Sequence, residues 1–119
     1  MTRYKKDLGE RGELIAAWWL KKKGYEIIDR QFRGRHGEID LIGYDKDGAL
    51  CFIEVKMRRN LQFGMPYEAV TRKKLATIKG LARLYMYKKL GQEVSAKIQV
   101  VSILEKGEKV KIRLFREVT

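Results

Sequence analysis

The sequence contains few of the residues that cross-link small proteins or bind structural zinc. It has one cysteine, Cys51, and one histidine, His36. One thiol cannot close an internal disulfide, and one thiol with one imidazole falls short of a structural zinc site. A single proline and the lack of a low-complexity tract argue against long disordered segments. We therefore expect residues 1–119 to form one domain around a hydrophobic core, in which Cys51 is a small buried side chain.

Long apolar segments are also missing. No run approaches the roughly 20 apolar residues that a helix needs to cross a bilayer. The first residues, MTRYKKD, lack the apolar centre of a secretory signal. These absences predict a cytoplasmic protein without a membrane partner.

Acidic residues are scarce relative to basic ones. Lysine and arginine number 27 against 15 aspartate and glutamate residues, which gives a net charge of +12. Such a charge attracts polyanions such as nucleic acid. Charge alone leaves a second interpretation open, in which the protein is basic and soluble without a polyanionic partner.

Two neighbouring segments have the composition of β-strands. Residues 38–45 and 49–57 are rich in β-branched and aromatic side chains, and the polar residues 46–48 between them include a glycine. Glycine adopts the left-handed backbone conformation that tight hairpin turns need. The pattern predicts an antiparallel hairpin with residues 46–48 as its loop.

Charged residues occupy one predicted face of this hairpin. With residues 46–48 in the loop, Asp40 lies opposite Glu54 and Glu38 lies opposite Lys56. Directly opposed residues share a face about 5 Å apart, so the four charges should form one patch. The apolar side chains should occupy the other face: Ile39, Leu41, Ile53 and Val55.

Clustered carboxylates in a buried sheet need a counter-charge. Like charges repel at close range and lose hydration on burial, and proton uptake or a bound cation relieves both costs. Carboxylate oxygens, with a backbone carbonyl and waters, suit Mg²⁺ or Mn²⁺. The alternative is structural: Glu38 and Lys56 form a cross-strand ion pair, and Asp40 and Glu54 are solvated at the end of the sheet.

The same spacing resembles a known signature. Residues 37–42, GEIDLI, followed by residues 52–56, FIEVK, are similar to the PD-(D/E)XK nuclease superfamily, in which an acidic residue enters one strand and Glu-x-Lys follows on the next. Asp40, Glu54 and Lys56 match its three positions.

Further motifs resemble the YraN-like family of small predicted nucleases, and this similarity covers most of residues 9–90. They are Gly12-Glu13 ahead of a helix ending at Gly24-Tyr25, then Phe63-Gly64, Glu68-Ala69-Val70 and Lys74. Within the superfamily, the analogy is to archaeal Holliday junction resolvases, which also place a glutamate on the first helix eleven residues before a glycine, as Glu13 precedes Gly24. That analogy implies a homodimer, because symmetric cutting of two strands needs two active sites.

The residue pattern and the resemblance together predict the site. The predicted catalytic residues are Asp40, Glu54, Lys56 and Glu13. The predicted metal ligands are Asp40, Glu54, Glu38 and the backbone carbonyl of Val55, with Mg²⁺ as cofactor and Mn²⁺ as its substitute. The candidate phosphate contacts are Arg30, Arg33, Arg35, Arg58, Arg59, Arg72, Lys73 and Lys74.

Two segments have helical patterns. Residues 7–23 begin with Asp7 and Glu10 at capping-box spacing and end before Gly24. Three of their side chains form an apolar stripe that should face the sheet: Leu14, Ile15 and Trp18. Glu13 lies beside this stripe, where it either reaches the acidic patch or is solvated, and the resemblance favours the site.

The second helix should span residues 72–90, with Thr71 as its N-cap and Gly91 as its stop, after a short turn at residues 66–70. Its core-facing residues should be Leu75, Ile78, Ala82 and Tyr85. Residues 25–29, 96–104 and 109–116 read as further strands, and residues 30–37 as a basic connection.

The element order is then αβββαββ. It predicts an α/β three-layer sandwich with a central mixed β-sheet flanked by helices, and the resemblance implies a restriction-endonuclease-like core. The predicted function is metal-dependent hydrolysis of phosphodiester bonds in DNA, including branched or structured DNA. The alternatives are a noncatalytic nucleic-acid-binding protein of a repair or DNA-processing assembly, and a structural ion-pair network in a basic protein with another partner.

Overall fold

The computed structural model describes residues 3–62 and 64–116, and it has the predicted element order. The elements are α1 Arg3–Lys22, β1 Glu26–Gly34, β2 Gly37–Tyr44, β3 Leu50–Arg58, a 3₁₀ turn Pro66–Ala69, α2 Arg72–Leu90, β4 Ala96–Lys106 and β5 Lys109–Phe115. No helix in the described ranges has the length and apolarity to cross a membrane.

The five strands form one mixed sheet in the order β1-β2-β3-β4-β5. Neighbours pair antiparallel except β3 and β4, which run parallel because α2 carries the chain back between them. One hydrophobic cluster joins α1 to the sheet, and a second joins α2 to it. Cys51 is buried in the α1-side cluster. The predicted sandwich with a central mixed sheet is confirmed.

The hairpin has the predicted register. Leu41 pairs with Ile53, and Tyr44 pairs with Leu50. The Asp45 N–H donates to the Ala49 carbonyl at 2.9 Å, and Gly48 has a φ of +84°. The loop glycine therefore adopts the left-handed conformation on which the prediction rested.

The alternation of faces breaks at Asp40, which was not predicted. Ile39 belongs to the α2-side cluster, whereas Leu41 belongs to the α1-side cluster. In β1, Phe32 pairs with Ile39 and Arg30 pairs with Leu41. Gln31 between them has a φ of +50°, the one positive value at a non-glycine residue in the described chain. In this register Gln31 lies opposite Asp40, so both strands depart from regular alternation at the same place, and the expectation that Ile39 shares a face with Leu41 was wrong.

The buried side of α1 also differs from the prediction. Leu14 and Trp18 are 59% and 58% exposed, and the buried residues are Gly12, Glu13, Ala16 and Leu20. A Cβ on Gly12 would lie 3.1 Å from the Met57 Cβ, so this glycine lets the helix approach β3 closely. The prediction was therefore wrong for Leu14 and Trp18, whereas Ile15 is partly buried against the α1-side cluster as expected. The face that approaches the sheet is the one that carries Gly12, Ala16 and Leu20.

Two boundaries were also wrong. α1 begins at Arg3, so Asp7 lies within the helix and is not its N-cap. β1 continues to Gly34, so most of the predicted basic connection belongs to a strand that is hydrogen-bonded to β2. The charged side chains of residues 30–34 are typical of a loop, but regular backbone hydrogen bonds to β2 hold these residues in a strand.

The second helix was predicted correctly. Thr71 Oγ1 accepts the Lys74 N–H at 3.1 Å, and Gly91 ends the helix with a φ of +70°. Its four predicted core residues are buried: Leu75, Ile78, Ala82 and Tyr85.

Candidate functional site

Asp40 lies where β2 and β3 stop pairing. The last pair of their ladder is Leu41 with Ile53, and one residue further Asp40 Oδ2 accepts the Val55 N–H at 2.7 Å. The Asp40 side chain is buried. At this position the Asp40 side chain is hydrogen-bonded to the backbone of β3. This bond holds the carboxylate between the two faces of the sheet.

The carboxylates of Glu13 and Glu38 lie close to the carboxylate of Asp40. One carboxylate oxygen each from Glu13, Glu38 and Asp40 lies within 4.8 Å of the other two. Glu13 reaches the sheet because it follows Gly12, where α1 comes closest to β3. Glu38 is held from the exposed side by Arg33, whose Nε donates to Glu38 Oε2 at 3.0 Å. We call Glu13, Glu38 and Asp40 the acidic cluster.

Glu13 is the buried helical member of the acidic cluster. Burial, and then the charge of Asp40, raises its pKa to about 7. Its Oε2 accepts a long hydrogen bond of 3.5 Å from Gln31 Nε2, and its buried Oε1 has no hydrogen-bond partner among the described residues. A buried carboxylate oxygen without a donor is an oxygen that a cation or a water could bind.

Glu54 approaches Asp40 from the α2 side of the sheet. Burial, and then its contact with the Asp40 carboxyl, raises the pKa of Glu54 to about 8. Lys74 Nζ lies 3.6 Å from Glu54 Oε2, which is an ion-pair distance but too long for a hydrogen bond. Oε2 is therefore also buried without a hydrogen bond in the described chain.

Two lysines accompany Glu54. Burial lowers the pKa of Lys56, the positive charge of Lys74 lowers it further, and the charge of Glu54 opposes both effects. Lys56 comes from β3, and Lys74 comes from the first turn of α2, where the Thr71 cap orders the backbone. The arrangement combines clustered hard oxygen donors with two amino groups.

The acidic cluster fits a divalent cation. Its donors are carboxylate oxygens, and no residue in the described part of the chain donates to Glu13 Oε1. Hard cations prefer such oxygens, and a cation would offset the repulsion between the carboxylates. Two predicted ligands, Glu38 and Asp40, belong to the cluster, and Glu13 completes it where Glu54 was expected. The ligand roles of Glu54 and of the Val55 carbonyl stay predictions.

Two of the predicted phosphate contacts pair with carboxylates of the site, Arg33 with Glu38 and Lys74 with Glu54. Arg59 Nε lies 3.1 Å from Glu105 Oε1. Arg58 is half-buried at the end of β3. The remaining candidates are exposed: Arg30 and Arg35 on and after β1, and Arg72 and Lys73 on α2.

Sequence reasoning missed Gln31. It lies in the segment interpreted as a loop, and nothing in the sequence marks a glutamine for the left-handed region. The neighbouring motif residues are partly described: Phe63 lies outside the described residues, and Gly64 has a φ of +91°. Glu68 Oε1 accepts the Met65 N–H at 3.1 Å, so Glu68 orders the turn before α2.

Comparison with known proteins assigns the chain to a family. Residues 12–103 match the model of the uncharacterised protein family UPF0102. A UPF0102 protein of Prosthecochloris aestuarii is 44% identical over 92% of this chain and 86% of its own length. A UPF0102 protein of Syntrophomonas wolfei is 45% identical over 90% of this chain and 92% of its own length.

One solved structure is similar at lower identity. The crystal structure of a repair endonuclease from Pyrococcus abyssi matches with a TM-score of 0.43 and 18% identity. The match covers 86% of this chain and 39% of the endonuclease chain. The family model spans the acidic cluster, Glu54, both lysines, the strands β1 to β3 and most of β4. By the extent of the family match and by the identity of these bacterial relatives, the chain belongs to the UPF0102 family.

Proposed function

We propose that the protein is a metal-dependent endonuclease that hydrolyses phosphodiester bonds in DNA. The observation that carries the proposal is the position of Asp40, which lies between the buried Glu13 and the buried Glu54, beside two lysines. A structural ion-pair network has no need for three buried carboxylates with two oxygens left without donors. A site for a hard cation and a phosphate does need them.

The acidic cluster would hold Mg²⁺, with Mn²⁺ as a substitute. Asp40, Glu38 and Glu13 are the nearest set of donors, and Glu54 is the next carboxylate, beside Asp40. When bound, the cation supplies Lewis-acid stabilisation of the phosphoryl oxygen.

The protein's own groups have distinct tasks. Lys56, half-buried on β3 near the charges of Glu54 and Asp40, would orient the attacking water and stabilise negative charge on the phosphate. Lys74, one helix turn into α2, binds a neighbouring phosphate and holds Glu54. Glu54, with its raised pKa, exchanges a proton near neutral pH.

The basic surface would hold the backbone of the DNA. The exposed arginines of β1 and the first turn of α2 lie beside the site, and a helix N-terminus adds its own attraction for phosphate. Such contacts give affinity without sequence choice, so structure-selective cutting of branched DNA is the expected specificity. A cytoplasmic location and a homodimer accompany this proposal.

The experiment is cleavage of end-labelled DNA by the purified protein with Mg²⁺ or Mn²⁺. The substrates are linear duplex, single strand, flap and four-way junction. The variants are Asp40→Asn and Lys56→Ala. Asp47→Asn and Lys46→Ala, both exposed in the hairpin loop, are the matched controls. We expect cleavage by the parent and both controls, and its loss in Asp40→Asn and Lys56→Ala with folding and DNA affinity retained.

Two results would contradict the catalytic assignment. In the first, Asp40→Asn cuts as well as the parent. In the second, the parent binds DNA but cuts no substrate with either metal, and the noncatalytic binding protein then becomes the better explanation. Calorimetric titration of Mg²⁺ and Mn²⁺ into the parent and into Asp40→Asn separates a failure to bind metal from a failure to find the substrate.

A further inference from the structure

A groove on the far side of α1 has no role in the candidate site. It has a volume of about 500 Å³ and is lined by Arg11, Ile15, Trp18 and Trp19 of α1 and by Val110 and Ile112 of β5. Arg11, Ile15 and Trp18 are spaced at three and four residues, so they share one face of the helix. Glu13 points from another face into the acidic cluster. The groove is thus a separate feature of α1.

The walls of the groove are apolar and exposed, and their rim is basic. Trp18 is 58% exposed and Val110 is 42% exposed. Lys22 Nζ lies 4.3 Å from the Trp18 ring centroid, and Lys23 Nζ lies 4.5 Å from the Trp19 ring centroid. The two tryptophans, each with a lysine ammonium group over its ring, thus form a surface suited to a ligand whose apolar side chains are flanked by negative charge.

The groove runs along a sheet edge. β5 is the last strand of the sheet and pairs with β4 alone among the described elements, so its outer backbone groups face away from the sheet. Ile112 and Leu114 pack toward the α1-side cluster, and Val110 lines the groove. Lys109, Lys111 and Arg113 alternate with them and are exposed on the opposite face. The edge thus offers an apolar face and a basic face along one strand.

We propose that β5 and the groove bind an extended segment of a partner protein in which acidic and apolar residues alternate. The segment adds a sixth strand beside β5, which supplies main-chain hydrogen bonds. Its apolar side chains enter the groove against Trp18, Trp19 and Val110. Its acidic side chains lie on the other face beside Lys109 and Lys111, where opposite charges across strands are favourable.

The charge pattern disfavours a second copy of this chain as the occupant. Antiparallel pairing of β5 with β5 of another copy would bring two basic faces together, and like charges directly opposed are destabilising. The aliphatic floor of Ile15, Val110 and Ile112 fits the branched side chains of a strand better than the flat, polar base of a nucleotide.

The test uses intrinsic fluorescence, because Trp18 and Trp19 are the two tryptophans of the chain and both line the groove. The probe is a capped peptide of strand length, about six residues, that alternates glutamate with valine and leucine. One control peptide has the same composition with glutamates and apolar residues in separate blocks. A second control replaces glutamate with lysine. We expect a saturable fluorescence change with the alternating acidic peptide, and binding about tenfold weaker with either control.

Variants assign the binding to β5. Trp18→Ala, which removes an exposed side chain, should weaken binding at least several-fold, measured by calorimetry. The double variant Lys109→Glu and Lys111→Glu should reverse the preference, so that it binds the lysine peptide better than the glutamate peptide. Lys88→Glu with Lys89→Glu on α2 is the matched control and should keep the preference of the parent. Hydrogen exchange should slow at β5 amides when the acidic peptide is bound.

Three results would overturn the proposal. The alternating and blocked peptides bind equally well, the double variant fails to reverse the preference, or single-stranded oligothymidylate competes with the peptide and depends equally on Trp18. The last result would assign the groove to nucleic acid. Each readout is independent of nuclease activity.

Discussion

At the scale of single residues, burial raises the pKa of two glutamates that approach Asp40 from opposite sides of the sheet. Glu13 and Glu54 have raised pKa values of about 7 and about 8, against an ordinary value of 4.5. Asp40 lies between them and accepts the Val55 N–H. Burial and the neighbouring Asp40 carboxyl both favour the protonated forms of Glu13 and Glu54.

This arrangement predicts how stability depends on pH. Between pH 4.5 and about 8, the folded state holds protons that the unfolded state has released. The free energy of unfolding should therefore fall as pH rises through this range, by a total on the order of a few kcal/mol without divalent cations. Urea unfolding at closely spaced pH values measures the slope.

Two comparisons make the pH prediction specific. Glu54→Gln should flatten the decline, whereas Glu10→Gln, at an exposed position of α1, should leave it unchanged. Mg²⁺ should raise stability more at the alkaline end than at the acidic end, because the cation competes with the protons. A slope that is the same in the parent and in Glu54→Gln would show that Glu54 ionises normally.

At the scale of elements, two glycines of α1 have opposite surroundings. A Cβ on Gly12 would lie 3.1 Å from the Met57 Cβ, while a Cβ on Gly9 would meet nothing within 4 Å. The Met57 Cβ is attached to the backbone of β3, so only movement of the helix can relieve the contact. Gly12 thus controls how deeply Glu13 enters the sheet.

The two glycines lead to a prediction about stability and Mg²⁺ binding. Gly9→Ala should stabilise the protein by about 0.5–1 kcal/mol, because alanine favours the helix. Gly12→Ala should destabilise it by about 1–2 kcal/mol and weaken Mg²⁺ binding, because α1 must lift away from β3. Thermal unfolding and Mg²⁺ calorimetry of both variants provide the comparison. Equal stabilisation by both substitutions would mean that the helix does not approach β3 as described.

The cap of α2 connects an element to the site. Thr71 Oγ1 accepts the N–H of Lys74, the residue whose Nζ pairs with Glu54. Thr71→Ala should cost about 1 kcal/mol of stability, and Thr71→Ser should cost little because it keeps the hydroxyl. If Lys74 binds phosphate, Thr71→Ala should also weaken DNA binding, as measured by fluorescence anisotropy. Unchanged stability of Thr71→Ala would argue against the cap.

At the scale of the whole molecule, a net charge of +12 predicts salt-sensitive binding of nucleic acid. The logarithm of the association constant should fall linearly with the logarithm of salt concentration. Arg72→Ala, at the start of α2, should make this dependence less steep by the amount expected for the loss of about one phosphate contact. Lys88→Ala, in the last turn of the same helix, removes the same charge and should leave the slope unchanged. Equal effects of the two variants would indicate attraction by net charge alone.

Local patterns were sufficient for a large part of the fold. The hairpin register followed from the glycine-containing loop, and α2 followed from Thr71, Gly91 and the spacing of its core residues. The UPF0102 family could also be predicted, since motifs in residues 9–90 carry the resemblance. These features depend on interactions between residues that are close along the chain or directly paired across one turn.

The rest depended on contacts between distant parts of the chain. The length of β1 required its pairing with β2, and the buried face of α1 was set by Gly12 against Met57. Apolarity was misleading for Leu14 and Trp18, which are exposed, and Trp18 lines the groove beside β5.

The sequence by itself determined which residues carry charge at the end of the hairpin and how its two strands align, because both are local properties of spacing and turn chemistry. The helical pattern left open whether Glu13 reaches the acidic patch, and the family resemblance favoured it; the tertiary structure places Glu13 in the acidic cluster. Only the tertiary structure decided that the alternation of faces breaks at Asp40, opposite the left-handed Gln31. The physical reason is that helix orientation and backbone conformation there result from packing between α1, β1 and β2, which no short segment of the sequence specifies.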